Sequence, residues 1–259
     1  MSDLRRKPSP GALQTGSLAH SHVLNRRIES IARLTDEERH ALASLPVEVA
    51  DLAADQDIVR EHDQPSRSVV LLEGFCFSYK LTGEGRRQIV GIFVPGDLPD
   101  LQSLHLQVMD SGLSTLTPCR VGFMEHHALR ALCGQYPRLG DAFWRVTLIE
   151  GSIAREWMTN IGQRKALSRM AHVLCELVVR LDAVGLVSNM TCELPITQSE
   201  FADVMGISTV HANRTLQELR GMELIRLTGQ SLEVLDWDRL REVGDFDPTF
   251  LHIRSTQPV

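Results

Sequence analysis

The sequence predicts an α+β protein with a β-rich N-terminal domain, one long helix and a small C-terminal domain of helices and a hairpin. Three observations predict it. Between about 47 and 125, short apolar runs alternate with turn residues, which is typical of a sandwich, roll or barrel. Over 138–161, apolar residues recur at spacings of three and four, as on a helix. Over 195–235, two short helical patterns precede a two-stranded one.

The composition is that of a chain with a mixed, weakly acidic surface. The 259 residues carry 27 basic and 33 acidic side chains, so the net charge of −6 disfavours a basic protein that coats nucleic acid. No apolar run approaches the roughly 18 residues of a membrane helix, and the N-terminus lacks a secretory pattern. The five cysteines are far apart and form no Cys-x-x-Cys pair. This spacing predicts a reducing, cytoplasmic location without a disulfide framework or a cysteine zinc site.

The N-terminal region predicts a tail followed by two short helices. Residues 1–22 are rich in proline, glycine, serine and histidine, and we predict a disordered tail. Apolar residues within 23–31 fit a short amphipathic helix. Thr35 and Glu38 have the spacing of a capping box, in which each side chain satisfies a free amide at the start of a second helix.

The β-rich stretch divides into strand-like runs that are separated by turn residues. The runs cover 57–59, 68–72, 75–81, 88–94, 113–116 and 119–124. Gly83 and Gly85 stand between two of these runs and predict a hairpin turn.

The long helix over 138–161 would be a rod of about 36 Å. Its apolar stripe resembles a coiled-coil seam, and a rod of this length beside a small β domain usually needs a partner. The residues predicted to form a dimer seam are Leu139, Phe143, Val146, Ile149, Ile153 and Trp157. The alternative is an ordinary helix that packs on its own domain. A further helix is predicted over about 164–184.

The segment after this helix predicts a winged helix-turn-helix. Thr197 and Glu200 form a second capping box, which opens a short helix that Gly206 ends. Ser208 then caps a longer helix over about 209–220. A short helix, a glycine turn and a longer helix make a helix-turn-helix, and the alternating pattern that follows predicts a hairpin, the wing.

The longer helix of this motif has one apolar side and one polar side. Ala212, Leu216 and Leu219 should pack inward. On the other side arginine can pair with guanine, asparagine or glutamine with adenine, and valine methyls with thymine, while amides at the helix starts can bind phosphate. The predicted DNA-binding residues are Thr197, Gln198, Ser208, Thr209, Val210, His211, Asn213, Arg214 and Gln217. Acidic residues outnumber basic ones over 163–240, so binding must rely on local placement.

In this order the elements resemble those of Crp/Fnr-type transcription regulators over roughly residues 26–240. The resemblance is carried by Leu72-Glu-Gly74, by Val94-Pro-Gly-Asp97, and by Ile196-Thr-Gln-Ser-Glu-Phe-Ala with Gly206-Ile-Ser-Thr-Val-His-Ala-Asn-Arg-Thr-Leu. It implies a jelly-roll-like β-roll that senses a signal, and a homodimer on a pseudo-palindromic site of double-stranded DNA. RNA polymerase is a further candidate partner, and no membrane partner is predicted.

The resemblance also gives the predicted domain boundaries. These are 1–22 for the tail, 23–136 for the β-roll with flanking helices, 137–162 for the dimerisation helix, 163–240 for the winged domain and 241–259 for a C-terminal tail.

Three sensing chemistries occur among such proteins, and the sequence departs from each. Cyclic-nucleotide binders carry Gly-Glu, which holds the ribose, and an arginine before Ser or Thr, which neutralises the phosphate. Here Pro99-Asp100 replaces Gly-Glu, and Asp110 replaces the arginine and would repel a phosphate. Iron–sulfur sensors carry an N-terminal cysteine cluster, whereas the first cysteine is Cys76. Haem would need Cys76, His105 or the His126-His127 pair. A lone cysteine in a strand is usually a small core residue, and a histidine pair between a strand and a helix is usually on the surface. No cofactor is predicted, and the effector stays open.

The helix-turn-helix departs from the family pattern at one position and leaves one alternative function. Val210 stands where many members carry a glutamate for cytosine, while Arg214 is retained, so only part of the familiar half-site should be shared. The alternative is a sensor module for haem or a small molecule whose helix-turn-helix docks onto protein, which would need an apolar outer face over 209–217. An enzyme is not predicted, because nucleophile elbow, P-loop, dinucleotide and HExxH patterns do not occur.

Overall fold

The computed structural model describes residues 17–254, and the first described element is helix α1 (Ser17–Glu29). The helix begins inside the segment that the sequence predicts as a tail, and residues 1–16 of that prediction lie outside the described residues. Leu24 and Ile28, which lie one turn apart on the same face of α1 and are both buried, belong to the part of the helix that the sequence predicts.

Helix α2 (Asp36–Ala43) has the predicted capping box at its start. The amide of Glu38 donates to Oγ1 of Thr35 at 3.2 Å, and the amide of Thr35 donates to the Glu38 carboxylate at 2.8 Å. Two backbone donors that the helix leaves free are thereby satisfied.

Seven strands form the β-rich domain, as two antiparallel sheets with the orders β1-β7-β3 and β2-β6-β4-β5. The strands are β1 (Glu48–Leu52), β2 (Asp57–Val59), β3 (Arg67–Glu73), β4 (Cys76–Leu81), β5 (Arg87–Phe93), β6 (Gly112–Thr115) and β7 (Cys119–Glu125). The predicted hairpin joins β4 to β5, with Leu81 opposite Arg87. The predicted β-rich fold is confirmed. Strand β1 is not among the predicted strand-like runs, because its residues are exposed or half-buried and form no apolar run.

Strand β3 shows how the β domain joins the rest of the chain. Val69 and Leu71 belong to a core that both sheets enclose. Val70 and Leu72 point the other way and belong to a second, larger core that the helices share. Because side chains of a strand alternate between two faces, β3 is buried on both.

Two helices follow the strands, α3 (His126–Gln135) and α4 (Pro137–Gln163). Pro137 occupies the first turn of α4, where its missing N–H costs no hydrogen bond. The seam predicted on α4 faces the chain's own core instead of a partner. The buried residues are Leu139, Phe143, Val146, Ile149, Ile153 and Trp157. A spacing of three and four identifies a buried face but does not identify the body that buries it, so the alternative of a helix packed on its own chain holds for this face.

The C-terminal domain is a winged helix-turn-helix, as predicted. Its elements are α5 (Ala166–Ala183), β8 (Thr191–Glu193), α6 (Gln198–Met205), α7 (Thr209–Gly221), β9 (Ile225–Thr228), β10 (Ser231–Val234) and α8 (Trp237–Gly244). The three strands form a small sheet in the order β8-β10-β9.

The predicted C-terminal tail differs from the structure over residues 241–254, which pack against the rest of the chain. Phe246 and Leu251 are buried, and the rings of Phe246 and Phe250 lie 5.1 and 5.7 Å from the ring of the buried His172. Leu251 ends a 3₁₀ turn (Pro248–Leu251) that contacts α4 and α5. Apolar residues at such irregular spacing give no periodic signal in a sequence.

Candidate nucleic-acid interface

Three caps set the start and the end of α6 and the start of α7. The Thr197 side chain accepts from the amide of Glu200 at 3.3 Å at the start of α6, and Gly206 ends the helix with a φ of +62°. Glycine suits that left-handed position because it has no Cβ. Ser208 then accepts from the amide of His211 at 3.3 Å and starts α7.

Helix α7 has the two faces that the sequence predicts. Ala212, Leu216 and Leu219 are buried against the domain. On the opposite side Val210 is 71% exposed and Arg214 is exposed. The other exposed members of the predicted set are Ser208, Thr209, His211 and Gln217, and Asn213 is half-buried.

One candidate on the outer face of α7 was not predicted. Glu218 is exposed and lines the same shallow groove as Val210, Arg214 and Gln217. It lies four residues after Arg214, which places both on one side of the helix. A carboxylate can accept from the amino group of cytosine. Glu218 therefore adds a carboxylate acceptor to the outer face, where the prediction from the sequence includes none.

The start of α6 supplies exposed polar groups beside this face. Thr197 and Gln198 are both exposed. The amide of Thr197 donates to the Glu200 carboxylate at 2.6 Å, so that amide is engaged within the cap. The Thr197 hydroxyl accepts from Glu200 and keeps its own proton for an acceptor outside the helix, such as a phosphate oxygen.

The wing is a short hairpin of β9 and β10 that turns at Gly229, where φ is +61°. Arg226 and Glu233 stand opposite each other across the two strands and form an exposed ion pair. The positive charge of Arg226 is therefore offset within the wing.

Comparisons with known proteins agree with this architecture. The Crp-like helix-turn-helix domain matches residues 168–243, and the cyclic nucleotide-binding domain matches residues 50–136. The transcriptional activator protein FnrL of Cereibacter sphaeroides is 28% identical over 200 residues, which cover 74% of this chain and 79% of FnrL. The nitrogen fixation regulation protein FixK of Bradyrhizobium diazoefficiens is 28% identical over 195 residues, covering 73% and 78%. The structure of FixK2 from Bradyrhizobium japonicum shares the fold, with a TM-score of 0.70 and 22% identity over 77% of this chain and 98% of that one.

The chain is a Crp/Fnr-type transcription regulator. Regulators of this type bind DNA through their helix-turn-helix, which gives the exposed face of α7 its functional context.

One segment of the β-roll, residues 96–111, carries neither the arginine nor the glutamate of the cyclic-nucleotide binders. Asp100, which the resemblance aligns with the ribose-binding glutamate, is fully buried, and one of its carboxylate oxygens accepts from the amide of Val69 at 2.7 Å. Burial raises the pKa of Asp100 to about 7. Asp110 is exposed, and residues 96–111 contain no arginine or lysine to neutralise a phosphate. This segment therefore departs from the cyclic-nucleotide pattern at both of the positions that the sequence singles out.

The candidate haem ligands of the regulator differ in their exposure. Cys76 is fully buried between strands, and burial raises the pKa of its thiol well above the usual value. His126 is not the surface residue that the sequence predicts, because it is buried and lies 3.0 Å from the hydroxyl of Ser103. His105 and His127 are exposed. Over residues 17–254, no three His, Cys, Asp or Glu side chains are grouped closely enough to hold a metal ion.

Proposed function

We propose that this regulator acts as a homodimer that reads a pseudo-palindromic DNA site through α7. The observation that supports this proposal is the contrast between the two faces of α7. Its inner face is buried, while its outer face is exposed, polar and free of the apolar side chains that a protein-docking surface needs, apart from Val210. An exposed polar helix of this kind fits the major groove, where each base pair has its own pattern of donors and acceptors.

Each residue predicted from the sequence has a role in this proposal. Arg214 donates two hydrogen bonds to one guanine, and Asn213 and Gln217 pair with adenine. Val210 contacts the methyl group of thymine. The residues assigned to phosphate oxygens are Thr197, Gln198, Ser208, Thr209 and His211, together with the amides at the two helix starts.

The dimer contact is assigned to the outer face of α4. Four large apolar side chains are exposed on this helix: Trp144, Leu148, Met158 and Ile161, at 64, 56, 67 and 40%. Trp144, Leu148 and Met158 follow a heptad spacing, as in a coiled-coil seam. Burial of large apolar side chains on a helix surface is favourable. A second copy of the chain that packs its own α4 against this face would bury the exposed side chains of both copies.

The proposal extends to partners and location. The relatives FnrL and FixK are described as an activator and a regulation protein, so contact with RNA polymerase at a promoter in the cytoplasm is part of the proposal. Within residues 17–254, no helix is both long and apolar enough to cross a membrane. We assign the chain a binding role without catalysis, and an effector other than a cyclic nucleotide.

The test is selection of bound sequences from random duplex DNA, with and without cell extract. A pseudo-palindromic site is the expected result. Extract dependence would show that an effector is needed. Recovery of no preferred sequence under either condition would contradict the proposal and favour the alternative, a sensor module whose helix-turn-helix docks onto protein.

Arg214→Ala tests base reading on the selected site. Loss of a bidentate guanine contact costs about 1–3 kcal/mol, so affinity should fall about 5- to 150-fold per half-site, with relaxed preference at one guanine. The measurement is a binding matrix over all single-base variants of the site. Gln198→Ala is the contrast, because a phosphate contact should weaken all sequences equally and lower the salt slope by about one. Matrices for wild type and Arg214→Ala that differ only by a constant factor would remove Arg214 from base reading.

A further inference from the structure

The C-terminal end of α6 is capped by a side chain from the β-roll. The side-chain amide nitrogen of Gln88, in β5, lies 2.6 Å from the backbone carbonyl oxygen of Asp203 and 3.2 Å from that of Val204. These carbonyls belong to the last turn of α6, where a helix has no partners of its own for its acceptors. A Cβ on Gly206, the residue that ends α6, would lie 3.4 Å from the Gln88 carbonyl oxygen, so the two domains touch closely at this point.

An ion pair stands beside this cap. The guanidinium of Arg87 lies 2.7 Å from the carboxylate of Asp203, and both side chains are about one-third exposed. The guanidinium is also 4.9 Å from the ring centre of Phe77 on β4, which is within cation–π distance. The hairpin of β4 and β5 therefore contacts α6 through the hydrogen bonds of Gln88 and through the ion pair of Arg87.

The same end of α6 is tied to the long helix. Arg169, in α5, donates to the carbonyl oxygen of Met205, the last residue of α6. It also donates to the carbonyl oxygens of Ile161, in α4, and Arg164, which follows α4, at 2.8 and 3.0 Å. The β-roll, the end of the long helix and the first helix of the helix-turn-helix thus meet at a single turn of backbone.

We propose that Gln88 and Arg87 are positioning residues for DNA binding, which fix the helix-turn-helix relative to α4 and so set the distance between the two reading helices of a dimer. The contact leaves the outer face of α7 uncovered, since Val210 is 71% exposed in this arrangement. It therefore supports the DNA-binding orientation. This inference rests on the function proposed above.

A positioning role has a readout that a loss of folding would not produce, which is the tolerance for half-site spacing. One added base pair moves a half-site by about 3.4 Å and rotates it by about 35°. A rigidly held domain rejects such a site, and a loosely held domain accepts it.

The experiment measures DNA affinity of the full-length dimer for the selected site and for versions with one base pair added or removed from the spacer. For the double variant Arg87→Ala, Gln88→Ala, we expect about 5- to 20-fold weaker binding to the best spacing. Its discrimination against the altered spacings should fall at least about threefold, and binding to an isolated half-site should change less than about twofold. Asp203→Asn, which weakens the ion pair from the α6 side, should shift both quantities in the same direction by a smaller factor.

Arg86→Ala is the matched control. Arg86 precedes Arg87 in the same hairpin, is exposed and pairs with Glu84 of the turn, so its loss removes the same charge without touching α6. We expect this variant to match wild type. Exchange of the charges, Arg87→Asp with Asp203→Arg, should recover spacing discrimination that Arg87→Asp alone loses.

Two results would overturn the inference. In the first, the double variant and Asp203→Asn keep the wild-type affinity and spacing preference. In the second, they bind DNA more tightly, which would mean that the contact holds the domain away from DNA. Failure of the proposed function is a separate outcome, because in that case wild type itself selects no DNA sequence.

Discussion

Asp97 is the residue at which three parts of the chain meet. Its carboxylate accepts from Arg27 of α1 at 2.8 Å, from Arg180 of α5 at 2.7 Å and from the amide of Val94 at 2.9 Å. Burial raises the pKa of Asp97, but the charges of Arg180 and Arg27 outweigh burial and bring it below the usual value. A buried charge needs such partners to offset its desolvation. The Gly-Asp pair that carries part of the family resemblance is therefore a junction between the β-roll and the winged domain.

Glu150 of α4 lies in the field of the same charges. Burial and the charge of Asp97 raise the pKa of Glu150 to about 8, against the opposing charges of Arg180 and Arg27. At pH 7 the native chain holds a proton on Glu150 that the unfolded chain, with a pKa of 4.5, releases. The free energy of unfolding should therefore fall as the pH rises from about 4.5 to 8, and Glu150→Gln should remove this part of the pH dependence.

Urea denaturation of both proteins at pH 5, 6, 7 and 8 measures this effect. Stability of Glu150→Gln relative to wild type should rise steadily across the series. Asp100, whose pKa burial raises to about 7, is present in both proteins, and its charge is the smallest of the named causes that act on Glu150. Glu37→Gln, at an exposed site in α2, should follow the wild-type curve. Parallel curves for Glu150→Gln and wild type would show that the native chain does not hold this proton.

At the scale of elements, the boundaries set by local contacts could be predicted from the sequence. Thr35 and Thr197 mark the starts of α2 and α6, because the capping partners of each lie within three residues. Gly206 marks a helix end for the same reason, since its left-handed backbone is a local requirement. Strand β1 gave no signal, because its residues are only half-buried and its partner β7 lies about 70 residues away.

The orientation of α4 could not be predicted, and it changes the experiment that tests the dimer. The six residues of the predicted seam pack on their own chain, so a charge at Ile153 should unfold the protein instead of separating two copies. Leu148→Glu places the charge on the exposed face. We expect this variant to stay folded, to sediment as a monomer and to bind DNA weakly, because two linked half-sites gain avidity.

Sedimentation and circular dichroism of the two variants distinguish these faces. Ile153→Glu is the contrast, and we expect it to lose its helical signal. If the Leu148→Glu variant is still a dimer at a concentration where wild type is a dimer, the dimer contact lies elsewhere on the chain. A folded, monomeric Ile153→Glu would restore the seam predicted from the sequence.

At the scale of the whole molecule, the order of the domains could be predicted, because the elements of each domain are contiguous in the chain. The contacts between domains could not be predicted. Gln88 and the end of α6 are more than 100 residues apart, as are Arg26 of α1 and the carbonyl oxygen of Val184, which are 3.1 Å apart. Such pairs have no common period or spacing, so a single sequence gives no signal of them. The outer face of α7 could be predicted because reading face, core face and caps all lie within one segment.

The C-terminal segment is the longest of these unpredicted connections. It leaves the winged domain after α8, and its 3₁₀ turn packs against α4. The amide of Arg254 then donates to the carbonyl oxygen of Ser30 at 2.8 Å, and its guanidinium donates to that of Glu29 at 3.1 Å. The segment therefore joins the end of the winged domain to the residues around the end of α1.

Leu251→Ala tests whether this connection contributes to the stability of the whole chain. Leu251 is 1% exposed in the shared core, and removal of a buried leucine side chain costs about 2–5 kcal/mol. We expect a loss in this range by urea denaturation, whereas a free tail would give none. Thr249→Ala, at an exposed position of the same 3₁₀ turn, removes only the hydrogen bond of its hydroxyl to Asp247 and should cost about 1 kcal/mol or less. Because the segment touches the long helix and the residues after α1, the loss should appear in the unfolding of the β-roll as well as in that of the winged domain. Equal stability of Leu251→Ala and Thr249→Ala would mean that residues 245–254 add nothing to the fold, as the sequence alone suggests.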